Sequence, residues 1–587
     1  NLKITGDSAE ELSFGELTFT QNATIDLGGK EITAAFVVDN GVQFSIDNGT
    51  VTAPAKNDVI YIKNGKATVG AGATLIASTD CAVFMKNLDN AEAQLALDVY
   101  GTLVGAEGFG TIQGNGSNKP ASVINIYDGA TVTNAADLAI YHPQNGTLTI
   151  GAATITGTTG IEMRAGNLVV NEGAIIEGTA EFSATPNGNG STVLGAAIAL
   201  SQHTTEQPTS VTVNGGTLKG ARAFYQDNLA SGTSTSVSAT IAAGTTLDGT
   251  IEVAEEGFVM PEVDGSYTLT AADFVVAGMP YDTFADAYDA AAEGATIEVY
   301  TDFAASEIIT IAKGITIDGN GHTLTSTAPR AINIDTTGDV VIKDLTINAA
   351  ERAINIINKP ATVTLTGVTA TADNNAVMIA TSAGAINIDT TGNVEIKDLT
   401  IVAKGERAVN IINQASTVTL DNVTASAKNY AVNLATSAAG AKLTVNDSDL
   451  TGLAVVNVAA PNADVEINDT NITNVDANAN EKYGAISTYK TATGATVTVN
   501  GGKVVVADDS AAGFNAIAGS SIVFNGTEGE ITIITVAAYI GDAGYETLEE
   551  ALKDVKDGQT ITLNADITAS EIITINKDIT FDGNGHT

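Results

Sequence analysis

The sequence predicts an all-β protein made of tandem parallel β-helices. Short strands with alternating apolar and polar residues recur about every 23 residues, and no helical pattern separates them. Strands of this length are not stable alone, so each coil is expected to hydrogen-bond the next and to stack its inward side chains into a shared core. Longer segments also repeat along the chain, which indicates more than one β-helical unit.

The short period is clearest in the second half of the chain. Strands that open on alanine begin 22 or 23 residues apart at two places: Ala331 and Ala353, and then Ala408, Ala431 and Ala454. Within "RAINIIN", Ile354 and Ile356 share one face while Asn355 lies on the other, as in a strand with one face in a core. A coil of about 23 residues is therefore predicted as the repeating element.

The long repeat divides the chain into units. Residues 281–323 match residues 545–587 at a constant offset of 264, with 23 identities in 43 aligned positions. The predicted divisions are a first β-helix unit at 1–256, a linking segment at 257–280, a second unit at 281–535, and the capping helix and first coils of a third, truncated unit at 536–587. The first unit has the same coils in a less regular form, with interrupting loops at 105–120, 180–195 and 201–209.

A short helix is predicted at the start of the second and third units. Thr547 followed by Glu550 is typical of an N-terminal capping box, and Gly558 ends the segment. The earlier copy repeats the pattern from Thr283, which predicts a capping helix near 283–293. Because the open end of a β-helix exposes unpaired strand edges, each helix is expected to cover a first coil.

The charge of the chain excludes two classes of partner. Its 26 basic and 68 acidic residues give a net charge of −42, and five of the basic residues are arginine. No basic cluster is available to bind nucleic acid or an anionic membrane surface. No run of 18 apolar residues occurs, so no membrane span is expected.

Three sequence features carry a resemblance to a known family. They are the capping segments with the pattern Y-x-T-x-x-x-A…G-x-T-I, "ITIDGNGHTL" at 315–324, and "GTLTIGAATITGTTGIEMRAGNLVVNEG" at 146–173. In these features the chain resembles the pectin-lyase-like right-handed parallel β-helix of large repetitive surface proteins of anaerobic bacteria and archaea. The resemblance implies that the β-helix is right-handed and that the protein lies outside the cell, at the cell surface.

The resemblance also implies a class of function. The expectation is a non-catalytic structural protein that forms rigid β-helical rods in a surface layer, sheath or fibre and self-associates into filaments or sheets. The first alternative is a cell-surface adhesin that binds a glycan or a host protein. The second alternative is a polysaccharide lyase or hydrolase, since the same fold hosts such enzymes.

The residues favour the non-catalytic expectation over the enzyme. Hydrolytic members of the fold need paired or triple carboxylates on adjacent coils, in motifs that resemble Asn-Thr-Asp, Asp-Asp, Gly-His-Gly and Arg-Ile-Lys. Lyase members need a basic residue to take the proton and cationic groups to bind uronates, and this chain has five scattered arginines. Here one Asp-Asp pair occurs, at 508–509, and His322 in "DGNGHT" recurs as His586, which indicates a repeated turn. Glu162 and Arg164 in "IEMR" are expected to form an outward pair on one strand. No catalytic residue and no organic cofactor are therefore expected.

Calcium is the metal that the sequence suggests, because calcium takes several oxygen ligands from a short stretch of chain. The candidate ligands are Asp318 in "IDGNG", Asp447 and Asp449 in "NDSDLTG", and Asp469 in "NDTNIT". The alternative is that these side chains hydrogen-bond within their own turns.

Asparagine recurs at one position of successive coils in the second unit. These residues are predicted to form an exposed ladder: Asn333, Asn355, Asn387, Asn410 and Asn433. The ladder is interpreted either as a binding strip or as amide bonding from coil to coil.

Overall fold

The computed structural model describes residues 1–587 apart from 1, 4–11, 115–119, 189, 203–206, 229–235, 358–361, 373–383, 476–483, 507–513, 516–520, 525–530, 536, 542, 546, 564 and 570–571. Strands account for 55% of the structure and helices for 3%. The long sheets are built from parallel strands that pair coil upon coil. The predicted class, an all-β parallel β-helix, is confirmed.

The chain folds into two compact units. One contains residues 1–272 and 278–280, and the other contains residues 273–277 and 281–587. The predicted linking segment at 257–280 therefore contributes residues to both units.

Coils of the first unit form three stacks of parallel strands. The first stack contains Val42–Thr52, Gly65–Val69, Leu95–Val99, Ser122–Ile126, Gly146–Ile150, Gly166–Val170, Thr209–Val213 and Val237–Ile241. The second contains Ala73–Ile76, Thr102–Val104, Thr131–Thr133, Thr154–Gly157, Ile175–Gly178 and the starts of Thr217–Asp227 and Thr246–Val253. The third contains Ile60–Ile62, Val83–Met85, Ile112–Gln113, Ile140–His142, Ile161–Met163, Ala196–Ser201 and the ends of the same two long strands.

Further strands lie at the two ends of this unit. Those at its beginning are Leu2–Lys3, Leu12–Phe19 and Ala23–Val38. Those after its last coil are Phe258–Val259, Glu262–Val263, Ser266–Thr268 and Thr270–Ala271.

The second unit has two main sheets and a small terminal one. The longest contains Phe274–Val276, Met279–Tyr281, Thr296–Val299, Phe303–Ala305, Thr316–Asp318, Thr323–Ser326, Val340–Lys343, Thr346–Ala349, Val363–Thr366, Thr369–Ala372, Asn393–Ala403, Thr417–Ala427, Lys442–Asn446, Asp449–Gly452, Asp464–Asn474, Thr496–Val506, Ser521–Phe524 and Ile531–Thr535. The next contains Ile309–Ile311, Ile332–Ile334, Ile354–Ile357, Gly384–Asp389, Arg407–Ile411, Tyr430–Leu434, Val456–Val458, Ile486–Thr488 and Phe514–Asn515. The terminal sheet contains Ala538–Ile540, Ala543–Tyr545, Thr560–Leu563 and Thr580–Asp582.

Parallel pairing in register stacks like side chains inside each unit. Ile140 pairs with Ile161, which pairs with Ile198, and all three side chains are fully buried. Ile332 and Ile354 are paired and buried in the same way in the second unit. Because the side chains alternate along each strand, the residues next to these isoleucines project away from the core.

The two predicted capping helices are present but short. Helix α1 spans Phe284–Ala290 and helix α2 spans Leu548–Asp554, and each begins after a threonine whose side chain accepts a hydrogen bond from a first-turn backbone N–H. Phe284 of α1 packs on Phe274 and Phe303, with ring centroids 5.9 and 5.5 Å away. In the part of the chain that the structure describes, no helix has the length and apolar character needed to cross a membrane.

One inward position of the third stack carries a histidine. His142 is 1% exposed, its Nε2 lies 3.1 Å from Ser122 Oγ, and its Nδ1 lies 2.9 Å from the backbone oxygen of Ala165. A carbonyl oxygen only accepts, so Nδ1 carries the proton and the Ser122 hydroxyl donates to Nε2. This pattern holds the ring neutral, and burial lowers the pKa of His142 below its ordinary value of 6.5.

Acidification should therefore destabilise the first unit through His142. Below about pH 6.5, His142 binds a proton in the unfolded state but stays neutral in the folded state. The free energy of unfolding of the first unit therefore decreases as the pH falls. Burial raises the pKa of Asp58 and of Glu162 to about 6, so these two carboxyl groups stabilise the folded state as the pH falls, opposite to His142. The effect of His142 is therefore measured by comparing the wild type with a variant that lacks this histidine. The thermal midpoint of the wild type should fall more than that of His142→Gln between about pH 7 and about pH 5. Parallel pH curves for the two proteins would refute this assignment.

Candidate functional site

Outward side chains of the third stack form one line along the first unit. Successive strands pair in register, so the outward residue of each strand lies opposite that of the next. This line, called the outer column, runs through Tyr61, Phe84, Gln113, Tyr141, Glu162, Ala199, Tyr225 and Glu252. Neighbouring members are separated by about 4.8 Å, the spacing of paired strands. The outer column is thus a row of side chains on a rigid surface.

An antiparallel hairpin covers part of the outer column. Its strands are Ser183–Asn187 and Gly190–Leu194. Phe182, at the base of the hairpin, packs on Tyr225 with the ring centroids 5.0 Å apart, and Ala199 belongs to the same apolar cluster. The column is partly exposed from Tyr61 to Tyr141 and buried from Glu162 to Tyr225.

A groove with a volume of about 310 Å³ lies where the buried part of the outer column begins. The tip of the hairpin forms one side, and the loop that carries Phe109 forms another. Seven polar side chains of its lining can take part in binding or chemistry: Gln113, Asp137, Tyr141, Glu162, Arg164, Asn187 and Thr192.

A buried ion pair closes the inner end of the groove. Arg164 Nε donates to Glu162 Oε1 at 2.6 Å, and the two residues are 3% and 2% exposed. Arg164 also donates to the backbone oxygen of Ser191 in the hairpin, and its guanidinium carbon lies 5.5 Å from the centroid of the Tyr141 ring. The hairpin and the ion pair therefore hold each other in place.

Burial gives Glu162 an unusual acidity. Desolvation raises the pKa of its carboxyl to about 6, even though the charge and hydrogen bond of Arg164 lower it, and the charges of Asp227 and Asp137 raise it further. Such a group exchanges protons in mildly acidic to neutral solution. Burial also raises the pKa of Tyr141, with Arg164 acting in the opposite direction, so the phenol stays protonated and can donate a hydrogen bond.

A second carboxylate, Asp137, is held by backbone groups at the groove. Leu138 N donates to its Oδ1 at 2.8 Å, and Gly108 N donates to its Oδ2 at 3.1 Å. Each carboxylate oxygen has a further lone pair, so the oriented group can still accept a hydrogen bond from a ligand.

The sequence located part of this site. Glu162 and Arg164 were expected as an outward pair, and the structure brings the two side chains together beneath the hairpin rather than in solvent. Asp137 and Tyr141 were not singled out. One feature of the sequence could have indicated the site: the coil period is interrupted at 180–195, soon after the strand that carries Glu162.

The asparagines of the predicted ladder lie in one column of the second unit. Each Nδ2 donates to Oδ1 of the preceding asparagine at 2.6 to 2.9 Å, and Asn457 extends the series with a bond of 2.8 Å. The expected exposure is wrong, because the exposed fraction is 1 to 7% in all five predicted members: Asn333, Asn355, Asn387, Asn410 and Asn433. The amide groups bond from coil to coil.

The residues predicted as calcium ligands lie at turns. Asp447 and Asp469 both have φ of +45°, Asp449 accepts a 2.8 Å hydrogen bond from the next coil, and Asp318 pairs with Lys343 at 2.5 Å. Among the described residues, no three or more His, Cys, Asp or Glu side chains are grouped to hold a metal ion. Calcium binding here stays a prediction.

Comparison with known proteins identifies a similar fold and no family. No protein-family profile and no curated protein matches the chain. A solved structure of a mutant of the PL6 family alginate lyase AlyGC is similar over 88% of this chain and 97% of that chain, with 11% sequence identity and a TM-score of 0.20. The likeness concerns the parallel β-helix class.

The expectation that the chain is not an enzyme is contradicted by this match, since the similar structure is that of an enzyme. We withdraw that expectation. That expectation rested on short motifs of residues that are close together in the sequence. In the structure, carboxylates from different coils line the same groove, although Asp137 and Glu162 are 25 positions apart in the chain.

The contact between the hairpin and Arg164 leads to a prediction at Gly190. A Cβ at this position would overlap the Arg164 guanidinium, so Gly190→Ala should push Arg164 away from Glu162. Loss of the nearby positive charge should raise the pKa of Glu162 above its value of about 6. The measurement is a carboxyl titration by ¹³C NMR.

Gly188→Ala is the matched control, because a Cβ at Gly188 meets nothing within 4 Å. An unchanged Glu162 titration in Gly190→Ala, or an equal shift in both variants, would show that the hairpin does not hold the ion pair.

Proposed function

We propose that this chain is an extracellular, cell-surface β-helix protein whose first unit binds a polysaccharide in the groove at Tyr141. One observation carries the proposal: two aromatic rings, two carboxylates and two amide side chains from different coils and from the hairpin converge in a single groove. The surface location and the adhesin class come from the resemblance in sequence and belong to the same proposal.

The groove contains the groups that sugar recognition requires. The ring of Tyr141 offers a flat apolar surface for a sugar ring, and its hydroxyl is a polar handle. The Asp137 carboxylate accepts hydrogen bonds from sugar hydroxyls, while the amides of Gln113 and Asn187 both donate and accept. Because paired strands hold most of these side chains, binding requires little reordering of the protein.

The stacked coils agree with a structural role at the cell surface. Each unit is cross-linked from coil to coil by backbone hydrogen bonds, which favours stiff rods in a surface layer, sheath or fibre. Self-association into filaments or sheets is part of the proposal. With a net charge of −42, neighbouring copies repel one another at low salt, so lateral packing would need screening cations.

Glycan binding is tested with the purified protein on an array of defined glycans. The wild type should bind a subset of them. Tyr141→Ala should weaken that binding about tenfold, since it removes one well-packed aromatic contact. Tyr127→Ala is the control, because Tyr127 is a 36% exposed aromatic residue that follows a strand of a different stack. A wild type that binds no glycan, or equal losses in both variants, would exclude the groove as the site.

Cleavage of the bound chain is a second candidate function, and the acidity of Glu162 favours it. With a pKa of about 6, its carboxyl group holds a proton in mildly acidic solution and can donate it to a glycosidic oxygen. Asp137, which lines the same groove, would supply the second carboxylate that hydrolysis uses to activate a water molecule. Arg164 would hold the Glu162 carboxyl in its orientation.

Cleavage is tested by incubating the protein with neutral and with uronate polysaccharides and measuring new reducing ends and unsaturated products. Hydrolysis should produce reducing ends, at a rate that falls as the pH rises through about 6, because Glu162 then loses its proton. Glu162→Gln should abolish the activity, and Glu177→Gln, on the second stack, should retain it. Unsaturated products, or full activity in Glu162→Gln, would contradict this mechanism.

A further inference from the structure

The outer column extends the proposed site beyond the groove. We infer that Tyr61, Phe84, Gln113 and Tyr141 form an extended strip that binds one neutral polysaccharide chain parallel to the β-helix axis, with an end of the chain at Glu162. This inference rests on the proposed function, and it adds that the glycan is neutral and that it is bound parallel to the β-helix axis.

The four side chains of this strip occupy successive coils. Tyr61 lies opposite Phe84, Phe84 opposite Gln113, and Gln113 opposite Tyr141. The ring centroids of Tyr61 and Phe84 are 5.4 Å apart. Each step is about 4.8 Å, which is close to the length of one sugar unit in an extended chain. Successive sugars can therefore lie over successive side chains without bending the polymer.

The strip is blocked at the end beyond Tyr141. Beyond Tyr141 the hairpin lies over the outer column, and the bond from Arg164 to Ser191 ties it down. The Arg164 guanidinium and the Glu162 carboxyl fill the space beneath it, since both are nearly inaccessible to solvent. A polysaccharide that follows the strip must stop there, so the site fits a chain end better than the middle of a long polymer.

Charges along the strip favour a neutral glycan. Lys63 lies 4.9 Å from the centroid of the Tyr61 ring, but three carboxylates outnumber it. Burial raises the pKa of Tyr61, and the negative charges of these carboxylates raise it further: Asp58, Asp39 and Asp89. At the closed end the charge of Arg164 is balanced by Glu162, and Asp137 adds a negative charge. A uronate chain would therefore meet repulsion at both ends of the strip.

The length of the bound glycan gives the first test, by isothermal titration with disaccharides and hexasaccharides of one neutral and one uronate series. The neutral hexasaccharide should bind more tightly than the disaccharide. Tyr61→Ala and Phe84→Ala should each weaken hexasaccharide binding roughly three- to tenfold and leave disaccharide binding unchanged, because each removes one remote aromatic contact. Tyr100→Ala, on a different part of the first unit, is the control.

The blocked end gives the second test. Hexasaccharides that carry a bulky fluorophore at the reducing end or at the non-reducing end are titrated against the wild type. One label should abolish binding, because that end of the glycan lies against the hairpin and leaves no room for the fluorophore, and the other label should be tolerated. Binding that tolerates both labels would overturn the closed-end arrangement.

These experiments distinguish glycan binding in the groove from glycan binding along the strip. If no glycan of either series binds, the proposed function itself is excluded. If binding depends on Tyr141 but is unaffected by Tyr61→Ala and Phe84→Ala, the groove stands and the strip is refuted. Tighter binding of the uronate series would refute the neutral class.

Discussion

Parallel pairing of each coil with the next, in register, is the constraint on which the rest of this structure depends. It fixes the neighbours of a residue as the residues at the same position of the coils before and after it. Isoleucines therefore meet isoleucines in the core, and Asn355 meets Asn333 and Asn387 in a buried ladder. The same rule, applied to outward positions, produces the outer column with its row of tyrosine, phenylalanine, glutamine and glutamate side chains.

Register also explains how a site could arise without disturbing the core. Ile161 follows Ile140 by 21 positions, whereas Ile198 follows Ile161 by 37, yet all three are stacked in one buried row. The additional residues form the hairpin and its connections, which leave the stack and return to it in register. The insertion covers part of the outer column and excludes water from Glu162. A solvent-exposed line of side chains is converted locally into a groove.

The groove is electrostatically distinct from the surface around it. The excess of acidic residues gives the chain a net charge of −42. Among the described residues most carboxylates are at least partly exposed, and water and salt weaken the interactions of exposed charges. Glu162 is buried beside a single arginine, so desolvation outweighs the attraction and raises its pKa to about 6. This pKa lies above the ordinary value of 4.5 for a glutamate, so the carboxyl group gains a proton in mildly acidic solution. Its position in a groove with Asp137 and Tyr141 makes this face the part of the chain best equipped for recognition and chemistry.

The sequence by itself determined the coil, the core and the caps, because each depends on a fixed period or on residues close together in the chain. The period of about 23 residues predicted the asparagine column. The acidic residue three positions after each capping threonine predicted where the two helices begin. Only the tertiary structure decided what is covered: the ladder is buried, and Glu162 lies beneath a hairpin whose base packs on Tyr225, 43 positions beyond Phe182. Burial and the meeting of Asp137 with Glu162 depend on contacts between distant segments, and no local pattern encodes them.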